Sequence, residues 1–327
     1  MKSFAHINAE SLDHAVAVLG ELGERCRVNA GGSDLLGCLK DRIWPEYPTH
    51  ILNVRTIPGL DAIAEEDGGL SVGALTTLAA VAESPLVRRR WTALAEAAGR
   101  TASPLLRNIG TLGGNICQEN RCWYYRYPNR LGGRILCARK GGKTCYAVAG
   151  DHRFHSIFGA VNRCVAVNPS DTAPALVALG ATIRTTRRDL PAETFFAADR
   201  GAGSTVLDHD ELVVAVHLPA PAPGTRSAFG KIALRRSIDF AIVNGAVAVT
   251  LEDGEVVEAR ICLNAVHNVP RRTPEAEALL IGGPLDDAQA VAAGEAAVRD
   301  AKPLIQNRYK VNLARTLVAD ALRRCGG

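Results

Sequence analysis

The chain has 327 residues, 47% hydrophobic and 22% charged, ordinary for a globular protein and enough for two domains at roughly 100–200 residues each. Lys and Arg exceed Asp and Glu by 38 to 34, and no long basic run interleaves with aromatics, which excludes nucleic acid as an expected partner. No window approaches the roughly 18 apolar residues of a membrane helix and the N-terminus has no signal-like run. The expected location is the cytoplasm, with export beside a signal-bearing partner left open.

In chain order, Ser11 is placed to cap a helix over 11–24, with Ala15, Val16, Leu19 and Leu22 at helical spacing. Residues 27–30 read as a strand running into Gly31-Gly32-Ser33-Asp34-Leu35-Leu36, a strand-to-helix turn. Paired glycines let successive backbone N–H groups share one concavity, and the helix start adds its positive end, so the turn suits phosphate. It is not a G-x-G-x-x-G pattern, and taken alone it is also a common plain turn. Residues 51–54 and 69–74 read as strands, Thr77 as a helix cap, and 86–99 as one helix with Arg88-Arg89-Arg90 on solvated surface. The strip Arg107-Asn108-Ile109-Gly110-Thr111-Leu112-Gly113-Gly114-Asn115 follows; its glycines allow close backbone approach either to a ligand or to a neighbouring strand.

Residues 117–164 lose all periodicity. They hold Cys117, Cys122, Cys137, Cys145 and Cys164, with Trp123, Tyr124, Tyr125 and Tyr127, and break at Gly132-Gly133 and Gly141-Gly142. An irregular loop of this length inside a compact domain is usually functional, and a metal centre would tie it down. Nine cysteines in all, an odd number in a chain of this size, argue against a disulfide framework. Cys122, Cys137, Cys145 and Cys164 are spaced C-x14-C-x7-C-x18-C. That spacing alone leaves an iron–sulfur cluster, a four-thiolate zinc and no metal equally open. Cys117 reads as a packed residue, and Cys26, Cys38, Cys262 and Cys325 as isolated thiols.

Beyond the loop, 165–167 reads as a strand, Asn168-Pro169-Ser170-Asp171 as a turn, 172–179 as a helix, and 181–184 and 211–218 as strands, with Phe195-Phe196 in the core. Ala220-Pro221-Ala222-Pro223-Gly224 reads as a linker. Strands over 227–233, 245–251 and 257–265, a hairpin turn at Asp253-Gly254, and helices over 275–281, 286–300 and 310–324 complete the chain.

The motifs Ala30 to Leu35, Arg107 to Asn115 and Asn168 to Asp171, in that order, resemble the FAD-binding subunit of the molybdenum hydroxylases, the family of xanthine and carbon monoxide dehydrogenases. The resemblance covers essentially the whole chain. It implies an α+β protein with a two-lobed PCMH/VAO-type FAD-binding domain over 1–219, its lobes at about 1–55 and 56–219, and a C-terminal domain over 225–327. The cysteine loop 117–164 is similar to the extra [4Fe–4S] insertion of the 4-hydroxybenzoyl-CoA reductase β subunit and, through Phe158-Gly159-Ala160 and Cys164, more so to that of aldehyde oxidoreductase flavin subunits. Cys122, Cys137, Cys145 and Cys164 are then the implied ligands, with His155 in reserve. The implied FAD contacts are Asn29, Ala30, Gly31, Gly32, Ser33, Asp34 and Leu35 on one side, and Thr101, Ser103, Asn108, Gly110, Thr111, Gly114 and Asn115 on the other. Asp171 would bond the flavin or its ribityl chain, with Lys231 approaching. With Ser33-Asp34 where covalent relatives of the fold carry histidine, the FAD should be non-covalent. The family further implies an electron relay. A large molybdenum-cofactor subunit and a small [2Fe–2S] subunit are its partners, and a ferredoxin-like carrier is a further candidate. The alternative is a stand-alone FAD-dependent oxidoreductase with a structural zinc loop.

Overall fold

A computed structural model describes residues 1–44, 46–127, 135–197 and 203–326. Gly132 and Gly133 lie outside the described residues. The described residues form three sheets. The first is parallel and three-stranded, with His50–Asn53 between Ala5–Asn8 and Cys26–Asn29. Its first crossover is the helix Leu12–Leu22, whose N-cap Ser11 accepts from the His14 N–H at 3.1 Å as its position predicts. Ala15 and Leu19 bury one stripe of that helix against Leu52.

The second sheet is antiparallel and runs Ile63–Glu66, Gly69–Gly73, Val213–Leu218, Thr182–Thr185, Asp189–Pro191. The third, also antiparallel, runs Arg271–Arg272, Glu255–Asn264, Val243–Glu252, Thr225–Ile232. Its strand Val243–Glu252 is buried on both faces, which pack into two different cores. Ala246 and Ala248 face the core with Leu94 and Leu176, while Val247 and Val249 face the core with Leu317 and Val318 of the helix Tyr309–Gly326. The Asp253-Gly254 hairpin is as read: both residues sit at positive φ, 50° and 87°, which the tight primed turns require.

Two expectations change. The helix over 86–99 is two helices, Pro85–Arg90 and Thr92–Gly99. Trp91 breaks them at φ −127°, because its buried indole N–H donates to the Pro219 carbonyl at 3.0 Å. Arg88, Arg89 and Arg90 do form the last turn of the first. The strand over 165–167 is only one isolated bridge, Arg121 to Val167, which closes the cysteine loop; a second bridge, Val161 to Cys164, precedes it. Among the described residues no helix is long and apolar enough to cross a membrane.

Candidate functional site

The turn 30–35 leaves the carboxyl end of the parallel strand Cys26–Asn29, where open sheets place their ligands. The helix Leu35–Asp41 follows, its first bond running from the Leu36 N–H to Gly32 O at 2.9 Å. Opposite lies the strip 107–115, in which Thr111 caps the short helix Leu112–Ile116 by accepting from the Gly114 N–H. Both glycine runs are also packing devices. A Cβ on Gly31 would stand 2.3 Å from the Ile109 carbonyl oxygen, and one on Gly113 would stand 2.9 Å from Ala74. Gly32 holds φ at 69°, a conformation glycine adopts at no steric cost. The ligand and structural readings of these runs therefore coexist.

Between the two runs opens a cleft of about 810 Å³, in the upper range of the roughly 300–1,000 Å³ of ligand pockets. Ala30, Gly31, Gly32, Ser33, Asp34, Leu35, Thr101, Gly110, Thr111, Gly114, Asn115 and Asp171 line it. Four expected residues do not line it. Asn29 ends the strand below the turn. Ser103 and Asn108 cap the two ends of the short helix Pro104–Arg107. Lys231 donates to Asp171 at 2.6 Å.

Asp171 is buried, which pushes its carboxyl pKa up against the opposing pull of Lys231 and Asn244; Asn244 donates to it at 2.7 Å. Ser170 and Thr172 donate to the Asn115 oxygen at 2.6 and 2.7 Å, fixing that amide in the wall. Asn264 donates to the Ser170 carbonyl at 2.7 Å, so the third sheet clamps the turn 168–171 from behind.

Sequence reasoning missed Arg121, Ile238 and Phe240, which also line the cleft. The Arg121 guanidinium lies 4.0 Å from the Phe240 ring centroid. Burial and the neighbouring Arg126 pull the Arg121 pKa down to about 10, so it stays charged at neutral pH and gives the wall a positive group. Ile238 sits at φ 69°, unusual for a β-branched residue. The break between two strands was the sole signal for that loop.

The cysteine loop draws together what its spacing left apart. Cys122 lies within electrostatic reach of Cys164 and Cys137, and Cys164 within reach of Cys145 and Cys137. All four are free thiols, buried or half-buried. Burial pushes Cys122 up to about 12 and raises Cys164, so any metal must displace their protons. The Ala166 N–H donates to the Cys164 sulfur at 3.4 Å. Among the described residues no three of His, Cys, Asp and Glu converge on a single-ion site. His155, also buried, places Nε2 3.1 Å from the Cys122 sulfur. Trp123 packs edge-on against Phe154, Tyr124 stacks on Tyr146, and Tyr125 is fully buried beside Cys38 and Cys137.

A large cleft walled by glycine backbone, with a cationic group and fixed polar side chains, at the carboxyl end of a parallel sheet, defines a dinucleotide-binding protein. The chain belongs to the family of FAD-binding subunits of molybdopterin dehydrogenases. The "FAD binding domain in molybdopterin dehydrogenase" family matches residues 2–221, and the "CO dehydrogenase flavoprotein C-terminal domain" family matches 228–325. It is 35% identical over 301 residues to the aldehyde oxidoreductase FAD-binding subunit PaoB of Escherichia coli K12, covering 90% of this chain and 89% of that one. It is 29% identical to the carbon monoxide dehydrogenase medium chain of Hydrogenophaga pseudoflava, covering 98% and 96%. The solved carbon monoxide dehydrogenase from that organism superposes with a TM-score of 0.76 at 28% identity, over 98% of this chain and 96% of that one. The α+β architecture and the place among oxidoreductase components follow.

Proposed function

We propose that the chain is the electron-transfer flavoprotein subunit of a molybdenum-dependent dehydrogenase, binding non-covalent FAD in the cleft and a [4Fe–4S] cluster in the loop 117–164. The gathering of the free thiols Cys122, Cys137, Cys145 and Cys164 in one irregular loop, with Cys122 and Cys164 within electrostatic reach of each other and of Cys137, carries this reading. A zinc ion would gather its sulfurs to about 4 Å of one another, as Zn–S bonds of about 2.3 Å require. A cluster spreads them, because each thiolate takes a different iron. Iron and acid-labile sulfide, absent from a zinc site, separate the cluster from the structural-zinc alternative.

FAD and the cluster would supply the electron carriage; the protein's residues hold them apart and in place. The turn 31–35 offers backbone N–H groups and Arg121 a charge to the pyrophosphate. Asn115 and Asp171 offer polar contacts at the other end of the cleft. Cys164 is assigned as the fourth ligand, and His155 as a hydrogen-bond partner of the Cys122 sulfur. We assign 1–55 and 56–219 as the two FAD-binding lobes and 225–327 as the C-terminal domain. The relatives named for carbon monoxide and aldehyde oxidation support two partners, a large molybdenum-cofactor subunit and a small [2Fe–2S] subunit. A ferredoxin-like protein is the proposed outlet, and the cytoplasm the proposed location.

The test is iron and acid-labile sulfide per FAD on the anaerobically purified chain. About four irons per flavin are expected, lost in Cys164→Ala and retained in His155→Ala. Flavin without iron would sink the cluster; loss in His155→Ala alone would transfer the ligand role to His155.

A further inference from the structure

We propose that Arg126 is a positioning residue that joins the flavin turn and the cysteine loop into one unit, so that FAD and iron each strengthen retention of the other. The inference rests on the FAD-plus-cluster reading above. Asp34 has a double allegiance. Its residue lines the cleft, while its carboxylate is held by the loop. Both Arg126 terminal nitrogens reach that carboxylate, Nη1 to Oδ1 at 2.8 Å and Nη2 to Oδ2 at 3.1 Å. Arg121 Nη2 and the Glu119 N–H add bonds at 2.8 and 3.0 Å. Burial works to raise the Asp34 pKa, but Arg126 and Arg121 overcome it and hold the group ionised.

Arg126 belongs to the turn that begins at a proposed ligand: its N–H donates to the Cys122 carbonyl at 3.0 Å. Its remaining side-chain donors reach Glu119 O at 2.8 Å, Asn120 O at 3.2 Å and the Cys38 sulfur at 3.3 Å. The side chain is 9% exposed. The network continues toward a second ligand. Tyr125 donates to Glu119 Oε2 at 3.0 Å, and Arg139, two residues after Cys137, stands 3.7 Å from that carboxylate with its guanidinium 5.2 Å from the Tyr125 ring centroid. Buried charges of this kind hold only while every partner is in register, because a displaced member leaves another charge unpaired out of water. A loop fixed by metal thus fixes Asp34, and Asp34 fixes the turn. By linkage the effect runs equally in both directions.

The experiment uses the full chain. The dissociation constant of FAD is measured by fluorescence quenching with the cluster intact and after oxidative removal of iron by a chelator. In the wild type, iron removal should weaken FAD roughly 5- to 150-fold, the usual span of coupling between sites. Removal of FAD should in turn speed iron loss to the chelator. Arg126→Lys keeps the charge but cannot make the forked pair on Asp34; in it the ratio should fall toward one. Asp34→Asn serves the same purpose if Arg126→Lys does not accumulate. Arg153→Lys, at an exposed arginine of the same loop paired with Asp151, should keep the wild-type ratio. Equal FAD affinity with and without iron overturns the coupling, and a wild-type ratio in Arg126→Lys overturns the role of Arg126. A chain that binds FAD but never iron overturns both this inference and the cluster; four irons with uncoupled FAD overturns only this inference.

Discussion

Gly31 and Gly37 are close in sequence yet answer to different constraints. Gly31 lies against the Ile109–Gly110 backbone, so an added Cβ forces the two walls of the cleft apart, since a backbone carbonyl 2.3 Å away cannot rotate aside. Gly37 lies in the helix Leu35–Asp41 with nothing within 4 Å of the place a Cβ would take. Gly37→Ala should therefore stabilise the protein by about 0.5–1 kcal/mol, the helical cost of glycine. Gly31→Ala should destabilise it by about 1–3 kcal/mol, the range for overpacked sites, and release FAD. Urea midpoints and flavin content of the two purified variants check the pair; similar effects from both would mean that the two walls do not press on each other as described.

Lys310 shows how an element is anchored by a residue whose type argues for the surface. It opens the helix Tyr309–Gly326, where a cation meets the unfavourable end of the dipole, yet it is fully buried. Its ammonium donates to the carbonyls of Ala265, His155 and Phe154 at 2.7, 3.0 and 3.1 Å, tying the last helix to the cysteine loop and the third sheet. Lys310→Met should cost on the order of 2–4 kcal/mol by orphaning those carbonyls, read as a lower urea midpoint; an unchanged midpoint would mean that water replaces the ammonium. Periodicity gave this helix to within two residues at each end, as it did Leu12–Leu22 and the long hairpin, because those elements bury a regular stripe. It could not give Lys310's role, which depends on a loop some 150 positions away. The same limit explains the site. The turn 30–35, the strip 110–115 and Asp171 were legible as local motifs. Arg121, Ile238 and Phe240 reach the cleft only through tertiary folding. The break at Trp91 was hidden for a similar reason, its partner Pro219 lying far along the chain.

Ion pairs bind the sheets to the loops that flank the cleft, and this gives the molecule as a whole an acid limit. Glu211, on the cleft wall just before the strand Val213–Leu218, accepts from Arg188 at 2.9 and 2.8 Å, Thr185 at 2.6 Å and the Asp208 N–H at 3.1 Å. Burial alone would raise its pKa, but Arg188, Thr185 and Asp208 outweigh it and hold the carboxyl at about 2. Asp34 is shifted in the same direction by Arg126 and Arg121. For such acids the unfolded chain binds the proton first. Their contribution is therefore complete above the unfolded pKa, near 4.5 for Glu211 and 3.8 for Asp34, and disappears as pH falls through the folded value. Because Arg188 is partly exposed and solvent screens it, Glu211 should contribute about 1–2 kcal/mol rather than the full value of the shift. Urea midpoints taken from pH 7 to pH 3 should thus fall mainly below pH 5, and Glu211→Gln should flatten that fall. The gap between wild type and variant should be widest at pH 7 and narrow with acid. A gap independent of pH would assign Glu211 a steric rather than an electrostatic part in closing the wall of the cleft.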